Sequence, residues 1–318
     1  MNGLEYSKIR KSENVACNLY DVVIVALEKD LRIIEKFIDM FTMYLPMKRL
    51  VLIGDFKVKE HIKNIRYQEV YYIDEESLIS RANITNIISK RTKNNIKAVN
   101  RSGWYLQQFV KMKYAQVCKD DYYLLWDCDT IPLKKVTMFL DRPIFDIKDE
   151  YHKEYFDTIG KILPGYEKKI TKSFISEHML IHTKSMNKMI ADIESNTEIE
   201  GKSFDEKILN AILEDILPYS GFSEFETYGT YILSNFPDLY NCREWKSLRE
   251  GTKYFEVDKL TKKDFLWLSK EFDAITFEKT MEKRKGYWLM QNTFFHKIMH
   301  FSTIKGLMDY YDYRMETK

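Results

Sequence analysis

Apolar residues recur along this chain in two rhythms. Asp21-Val-Val-Ile-Val-Ala26 is a short, β-branched run, the pattern of a strand buried on both faces. Between Leu31 and Tyr44 the positions Ile34, Phe37, Ile38 and Phe41 fall at helical spacing and predict an amphipathic helix. Residues 49–54 form a second apolar run closed by glycine, and 69–73 a third. Strand, helix, strand in this order predicts a βαβ unit and a mostly parallel sheet. From Gly103 to Lys119 the helical spacing returns, with Trp104, Phe109, Met112 and Ala115 near one face. Residues 122–126 predict the next strand, which runs straight into Asp127-Cys128-Asp129. Further on, 173–182 reads as a strand, 203–217 as a helix, and Ser223 as the start of another. Beyond about residue 240 the chain is richer in aromatic and charged residues and less periodic. With no internal repeat or low-complexity linker, the expectation is one α/β unit over residues 1–240, a mostly parallel sheet flanked by helices. Residues 241–318 would form a helical, aromatic extension packed on it.

Composition narrows the function. Of 318 residues, 45% are hydrophobic and 31% charged, which fits a globular chain and excludes intrinsic disorder. Fifty Lys and Arg against 48 Asp and Glu leave a formal charge of +2, too little basic excess for a dedicated nucleic-acid binder. Cys17, Cys118, Cys128 and Cys242 are scattered without zinc-ligand spacing, as expected for reduced thiols in the cytoplasm. The N-terminal segment has no apolar signal-peptide region, and no run of about 18 apolar residues predicts a membrane span. Asn83-Ile84-Thr85 and Asn100-Arg101-Ser102 match the glycosylation sequon, which carries no weight without secretion.

The strongest chemical signal is LLWDCDTIPL at 124–133. In an open α/β sheet the ligand crevice lies beyond the carboxyl ends of the strands. Trp126, Asp127 and Asp129 therefore stand where ligand chemistry is expected. Two carboxylates delivered by an apolar strand suit a hard cation, Mn²⁺ or Mg²⁺, and leave coordination positions for phosphate oxygens. The alternative is that both aspartates merely cap a turn. Ser223-x-x-Glu226 is a capping box, which explains Glu226 as a structural residue but leaves Glu224 unexplained. Trp104, Gln108 and Lys111 share a helix face, and either contact a ligand or are core and solvated residues. Arg81, in SRANIT, is a candidate phosphate contact, and Ala26, ending the first strand, lines the expected crevice. His178 is either a ligand contact or a satisfied core histidine. His296 and His300, four apart, would face one way on a helix.

YYLLWDCDTIPL resembles the metal-binding turn of GT-A-fold glycosyltransferases. GWYLQQFVKMKYA at 103–115, FISEHMLIH at 174–182 and GFSEFETYGTY at 221–231 resemble a bacterial group of these enzymes that builds capsular and other surface polysaccharides. The resemblance spans roughly 100–235 and implies a GT-A-like (Rossmann-like) sheet. It also implies transfer of a hexosyl residue, such as galactose, galactofuranose or glucose, from a UDP-sugar to a glycan hydroxyl. Asp129 and Asp127 would then hold the cation, with His296 or His300 as a third ligand. Gln108, Lys111, Arg81 and His178 would touch the donor, and Glu224, or else Glu226, would be the base of an inverting reaction. The implied acceptor is lipid-linked, at the inner face of the cell membrane, where the basic and aromatic stretch from Lys279 to Phe301 would make peripheral contact. Two other classes compete. A nucleotidyltransferase or Mg²⁺-dependent phosphotransferase also uses paired aspartates, but normally with a glycine-rich phosphate loop that this chain lacks. A non-catalytic glycan-binding module would account for the aromatic content but would not need the paired aspartates.

Overall fold

The structure, a computed structural model, describes residues 19–278 and 281–316. Cys17, the N-terminal segment and Lys279 lie outside the described residues. In chain order the strands are β1 (Tyr20–Val25), β2 (Met47–Gly54), β3 (Val70–Asp74), β4 (Tyr122–Trp126), β5 (Thr130–Pro132), β6 (Ile144–Ile147), β7 (His178–His182), β8 (Asn241–Glu244), β9 (Ser247–Leu248) and β10 (Ala274–Thr276). The chain divides into two compact units. One takes residues up to Leu31, Pro46–Asp127 and Thr137–Glu244; the other takes Arg32–Leu45, Cys128–Val136 and Trp245 onward.

The first unit is built on a sheet of order β3-β2-β1-β4-β7, parallel except for the antiparallel β4–β7 pair. This is the mixed α/β architecture that the apolar runs predict, and their boundaries agree within two residues for β1 to β4. Side chains alternate across it. Val23, Val25, Val51, Ile53, Leu125 and Ile181 join one core with Ile84, Leu106, Phe109, Met186, Phe204 and Tyr228. Those last six come from the helices Arg81–Arg91, Ser102–Lys113, Thr183–Ser195, Phe204–Ala211 and Glu224–Asn235. A separate ribbon pairs β6 with β8 in parallel. Because β1 has β2 on one side and β4 on the other, the order reverses there, and in open α/β sheets ligands bind beside such a switch point, beyond the carboxyl ends of the strands.

Several elements depart from the pattern reading. The strand expected over 173–182 exists only from His178, because Glu177 adopts a left-handed backbone with φ 63°. The helix expected over 203–217 ends at Ala211, where Arg91 donates to the carbonyls of Leu209 and Ile212 and Lys161 to that of Ala211. The helix expected to reach Lys119 stops at Lys113 and closes with a single 3₁₀ turn, Tyr114–Gln116. Helix Arg81–Arg91 is hidden in a polar, β-branched sequence that buries only Ile84 and Ile88.

The second unit holds a small sheet of order β5-β10-β9. Its core is aromatic: Phe37 meets Phe265 edge-on at 5.1 Å, and Phe301 packs with Tyr254, Trp267 and Phe272. Among the described residues no helix is long and apolar enough to cross a membrane.

Candidate active site

β4 buries Leu124, Leu125 and Trp126 completely, and the chain then leaves the sheet at the switch point. Asp127 is the first residue out, with its side chain 33% exposed and its N–H donating to the carbonyl of Glu177 at 2.9 Å. Lys111 reaches it from helix Ser102–Lys113. Its ammonium donates to Asp127 Oδ1 at 2.7 Å and to Glu224 Oε1 at 2.8 Å, and lies 4.7 Å from the centre of the Phe225 ring. Burial alone would lower the Lys111 pKa. The charges and hydrogen bonds of the two carboxylates outweigh it and raise that pKa above the usual lysine value. One turn earlier Gln108, also buried, accepts the Glu224 N–H through Oε1 at 3.2 Å. Its Nε2 is buried without a hydrogen-bond partner among the described residues. The helix face shared by Gln108 and Lys111 is therefore neither solvated nor apolar core, and it converges on Glu224, Gln108 at its backbone N–H and Lys111 at its carboxylate. Trp104 lies partly buried against the same core, edge-on to Tyr105 and with Arg101 4.0 Å from its ring.

Glu224 opens helix Glu224–Asn235, and Ser223 is its N-cap, with Oγ accepting the Glu226 N–H at 3.3 Å. The reciprocal arm of the expected capping box is not made. The Glu226 carboxylate instead accepts from the Ser173 hydroxyl and from the Phe174 N–H at 3.1 Å. Burial raises the Glu226 pKa, and these hydrogen bonds offset part of that rise. Glu226 thus ties the 173–174 segment to the helix, while Glu224 faces Lys111 and Asp127.

At the neighbouring strand ends, Ala26 is buried and donates its N–H to Ile53. Gly54 closes β2 against it; a Cβ there would stand 2.6 Å from the Ala26 carbonyl. Beyond β3 the buried Glu75 receives Arg81 Nε at 3.0 Å and Nη2 at 2.5 Å, so this guanidinium is already paired with a carboxylate. The sequence reading singled out Arg81 but missed Glu75 and Gln108's link to Glu224. His178, almost wholly buried, has Nε2 2.9 Å from Asp146 and Nδ1 2.8 Å from the Ser176 carbonyl, with its ring stacked on Trp126 at 4.8 Å. Of the two readings of His178, this is the geometry of a core histidine with both ring nitrogens engaged.

In the second unit, the Asp129 carbonyl accepts the Phe277 N–H at 2.9 Å and its carboxylate the Thr130 hydroxyl at 3.4 Å. The expectation that His296 and His300 share a helix face fails, because helix Thr293–Ile298 ends at Met299, which is extended. His296 is buried against Trp267, with Nε2 2.7 Å from the Met290 carbonyl and Nδ1 3.3 Å from Asp264. His300 is 63% exposed, with Nδ1 4.0 Å from Glu271. Among the described residues, no three metal-ligating side chains gather in one place. An all-protein metal cage is therefore not formed by these residues. A partly exposed carboxylate at the end of β4 does fit a hard cation completed by phosphate oxygens.

Residues 31–313 match the sequence model of a family described as "Family of unknown function (DUF6492)". The chain belongs to this family. No curated protein matches it. Among solved structures it is similar to mouse xyloside xylosyltransferase 1 in its apo form, at 12% identity and a TM-score of 0.43, covering 83% of this chain and 99% of that one. It is also similar to the galactosyltransferase LgtC in complex with donor and acceptor sugar analogues, at 11% identity and a TM-score of 0.40, covering 85% and 94%. The mannosyltransferase Ktr4p from S. cerevisiae in complex with GDP is similar at 10% identity and a TM-score of 0.40, covering 67% and 72%. With TM-scores below 0.5, none of these likenesses bears on the chemistry of this chain.

Proposed function

We propose that the chain is a metal-dependent glycosyltransferase that moves a hexosyl residue from a UDP-sugar to a glycan hydroxyl. The observation that carries the proposal is the Lys111–Asp127–Glu224 cluster at the carboxyl end of β4, beside the switch point of the sheet. Phosphates and sugars bind at such positions because several strand ends there deliver polar groups to one crevice. Asp129 would bind the cation directly, and Asp127 the same ion or the donor ribose. A divalent cation bound there would neutralise the charge that develops on the departing diphosphate.

Glu224 is the base of this proposal. Its carboxylate meets the Lys111 ammonium in the first turn of a helix, and a carboxylate so held can accept the proton of an acceptor hydroxyl. The buried ammonium holds Glu224 and Asp127 in a fixed mutual geometry, which supports transfer by positioning. Gln108 fixes the first backbone N–H of the Glu224 helix. Ala26, Trp126 and Arg81 border the donor crevice in this scheme. Glu226 takes no part in proton transfer.

We extend the proposal to a lipid-linked acceptor in bacterial polysaccharide synthesis, at the cytoplasmic face of the membrane. Trp288, Phe294, Ile298, Leu307, Tyr310 and Tyr311, all exposed in the second unit, support contact with a bilayer surface. The test is a screen of UDP- and GDP-sugars with and without Mn²⁺, read by release of nucleoside diphosphate and by thermal stabilisation. Metal-dependent release that Asp129→Asn abolishes is expected. Release of pyrophosphate from nucleoside triphosphates instead would move the chain to the nucleotidyltransferases.

A further inference from the structure

We propose that Lys97, Arg101 and the rings of Trp104 and Tyr219 form a binding site for an anionic sugar residue of the acceptor, one that bears a carboxylate or a phosphate. Charge is unevenly spread in this part of the chain. From Ser77 to Lys119 there are nine Lys and Arg and no Asp or Glu, although the chain as a whole is nearly balanced. Three of these cations are answered by other segments. Arg81 meets Glu75, Lys111 meets Asp127 and Glu224, and Arg91 donates to the Leu209 and Ile212 carbonyls and feels the charge of Glu214. Lys97 and Arg101, four residues apart, make no ion pair among the described residues; each instead lies over an aromatic ring.

Arg101 is half-buried where helix Ile96–Asn100 meets helix Ser102–Lys113. Its Nε donates to the Tyr219 carbonyl at 2.8 Å and its Nη2 to the Ser220 hydroxyl at 3.0 Å, both neutral oxygens. Burial lowers its pKa, and the groups that oppose this are the phenols of Tyr105 and Tyr155, with no carboxylate among them. A half-buried guanidinium with only neutral partners carries uncompensated charge, which an anion would compensate. The rings supply the other half of the site. The guanidinium lies 4.0 Å from the centre of the Trp104 ring, and the Lys97 ammonium 4.0 Å from that of Tyr219, which is 56% exposed. A charged sugar has an apolar C–H face that packs on aromatic surface and a substituent that needs a cation; both are met here. The carboxylates nearest the site have partners of their own. Glu150 and Glu224 both act on Tyr155, but Glu150 lies 2.8 Å from His152 Nε2 and Glu224 is bound by Lys111.

Two covalent routes join this site to the Lys111–Asp127–Glu224 cluster. Ser220 is four residues before Glu224, and Lys111 follows Arg101 by ten residues, roughly 15 Å along the helix axis. A saccharide whose charged residue rests on Arg101 therefore points along the chain segments that lead to the proposed base. An anionic bilayer would engage the exposed Lys90, Lys93 and Ile96, but would account neither for the half-buried Arg101 nor for the route to Glu224.

Binding at this site stands apart from the proposed function; only its place on the acceptor rests on that reading. Calorimetric titration of the full chain with tetragalacturonate, glucose 6-phosphate and neutral maltotetraose tests it. At least one anionic probe should bind, more weakly as salt is raised, and which one binds separates carboxylate from phosphate. Arg101→Gln should weaken binding about tenfold or more, with part of the loss recovered in Arg101→Lys. Lys97→Gln and Tyr219→Ser change exposed side chains and should each weaken it by roughly two- to fivefold while the melting temperature is kept. Unchanged binding in both of these variants, equal binding of maltotetraose, or no binding of either anionic probe would overturn the proposal. Lys97-dependent binding of phosphatidylglycerol vesicles, with neither anionic saccharide bound, would assign the surface to a membrane instead. If the anionic probe binds and the variants behave as stated, but no sugar donor is turned over, the glycosyltransferase proposal alone fails.

Discussion

Replacing Lys111 by Met keeps an unbranched side chain one atom shorter and removes the ammonium between two carboxylates. Lys111 and Glu224 are both buried, whereas Asp127 keeps some solvent, which moderates its share. Removing one partner of a buried pair costs about 3–5 kcal/mol, and the solvent at Asp127 favours the lower end. At about 2–4 °C per kcal/mol, a loss of about 3 kcal/mol lowers the melting temperature by roughly 6–12 °C. In the wild type the Lys111 pKa is raised, so its contribution is complete below the unfolded lysine value and is lost only as pH rises through the folded one. The gap in melting temperature between variant and wild type should therefore be present throughout the neutral range. Melting curves by circular dichroism at pH 7.5 test this. A loss below about 1 °C would refute the buried pair as its source.

Glu224→Gln should leave UDP-sugar and metal binding intact while transfer falls by roughly 10²–10⁴-fold, measured as kcat with a donor and acceptor. Glu226→Gln should lower the melting temperature and change the rate little, because its carboxylate holds Ser173 and the Phe174 N–H. The reverse pattern would exchange their roles. Gly229→Ala should destabilise by about 1–3 kcal/mol in chemical denaturation, since the new Cβ would stand 2.3 Å from the Phe174 ring. Co-sedimentation with vesicles containing anionic lipid should weaken when Trp288 and Phe294, both exposed, are replaced by Ser. No change would remove membrane contact from the proposal.

Local pattern carried the strands and the position of Asp127, because an apolar run ending in a carboxylate encodes both a buried strand and its exit from the sheet. It also placed Gln108 and Lys111 on one helix face. It could not show that their target is Glu224, more than a hundred residues later, since that meeting depends on how two helices pack. Spacing from Ser223 marks Glu226 as a structural residue and leaves Glu224 open. Only the tertiary contacts show what each carboxylate meets, Lys111 for Glu224 and Ser173 for Glu226. The His296 and His300 expectation assumed an unbroken helix, and the extended backbone at Met299 removes that premise. The strand over 173–182 was overextended for a similar reason: nothing in Ser-Glu-His announces a left-handed glutamate. Helix Arg81–Arg91 escaped because its propensity is poor and its stability comes from tertiary packing of Ile84 and Ile88.

The most direct test of the glycosyltransferase proposal is calorimetric titration of UDP and UDP-sugars into the full chain, with and without Mn²⁺, alongside Asp127→Asn and Asp129→Asn. The account predicts binding that requires the cation and is lost in Asp129→Asn, while both variants keep the wild-type circular dichroism spectrum. Binding of equal strength in EDTA and in Asp129→Asn, or no binding of any nucleotide sugar to the wild type, would contradict it.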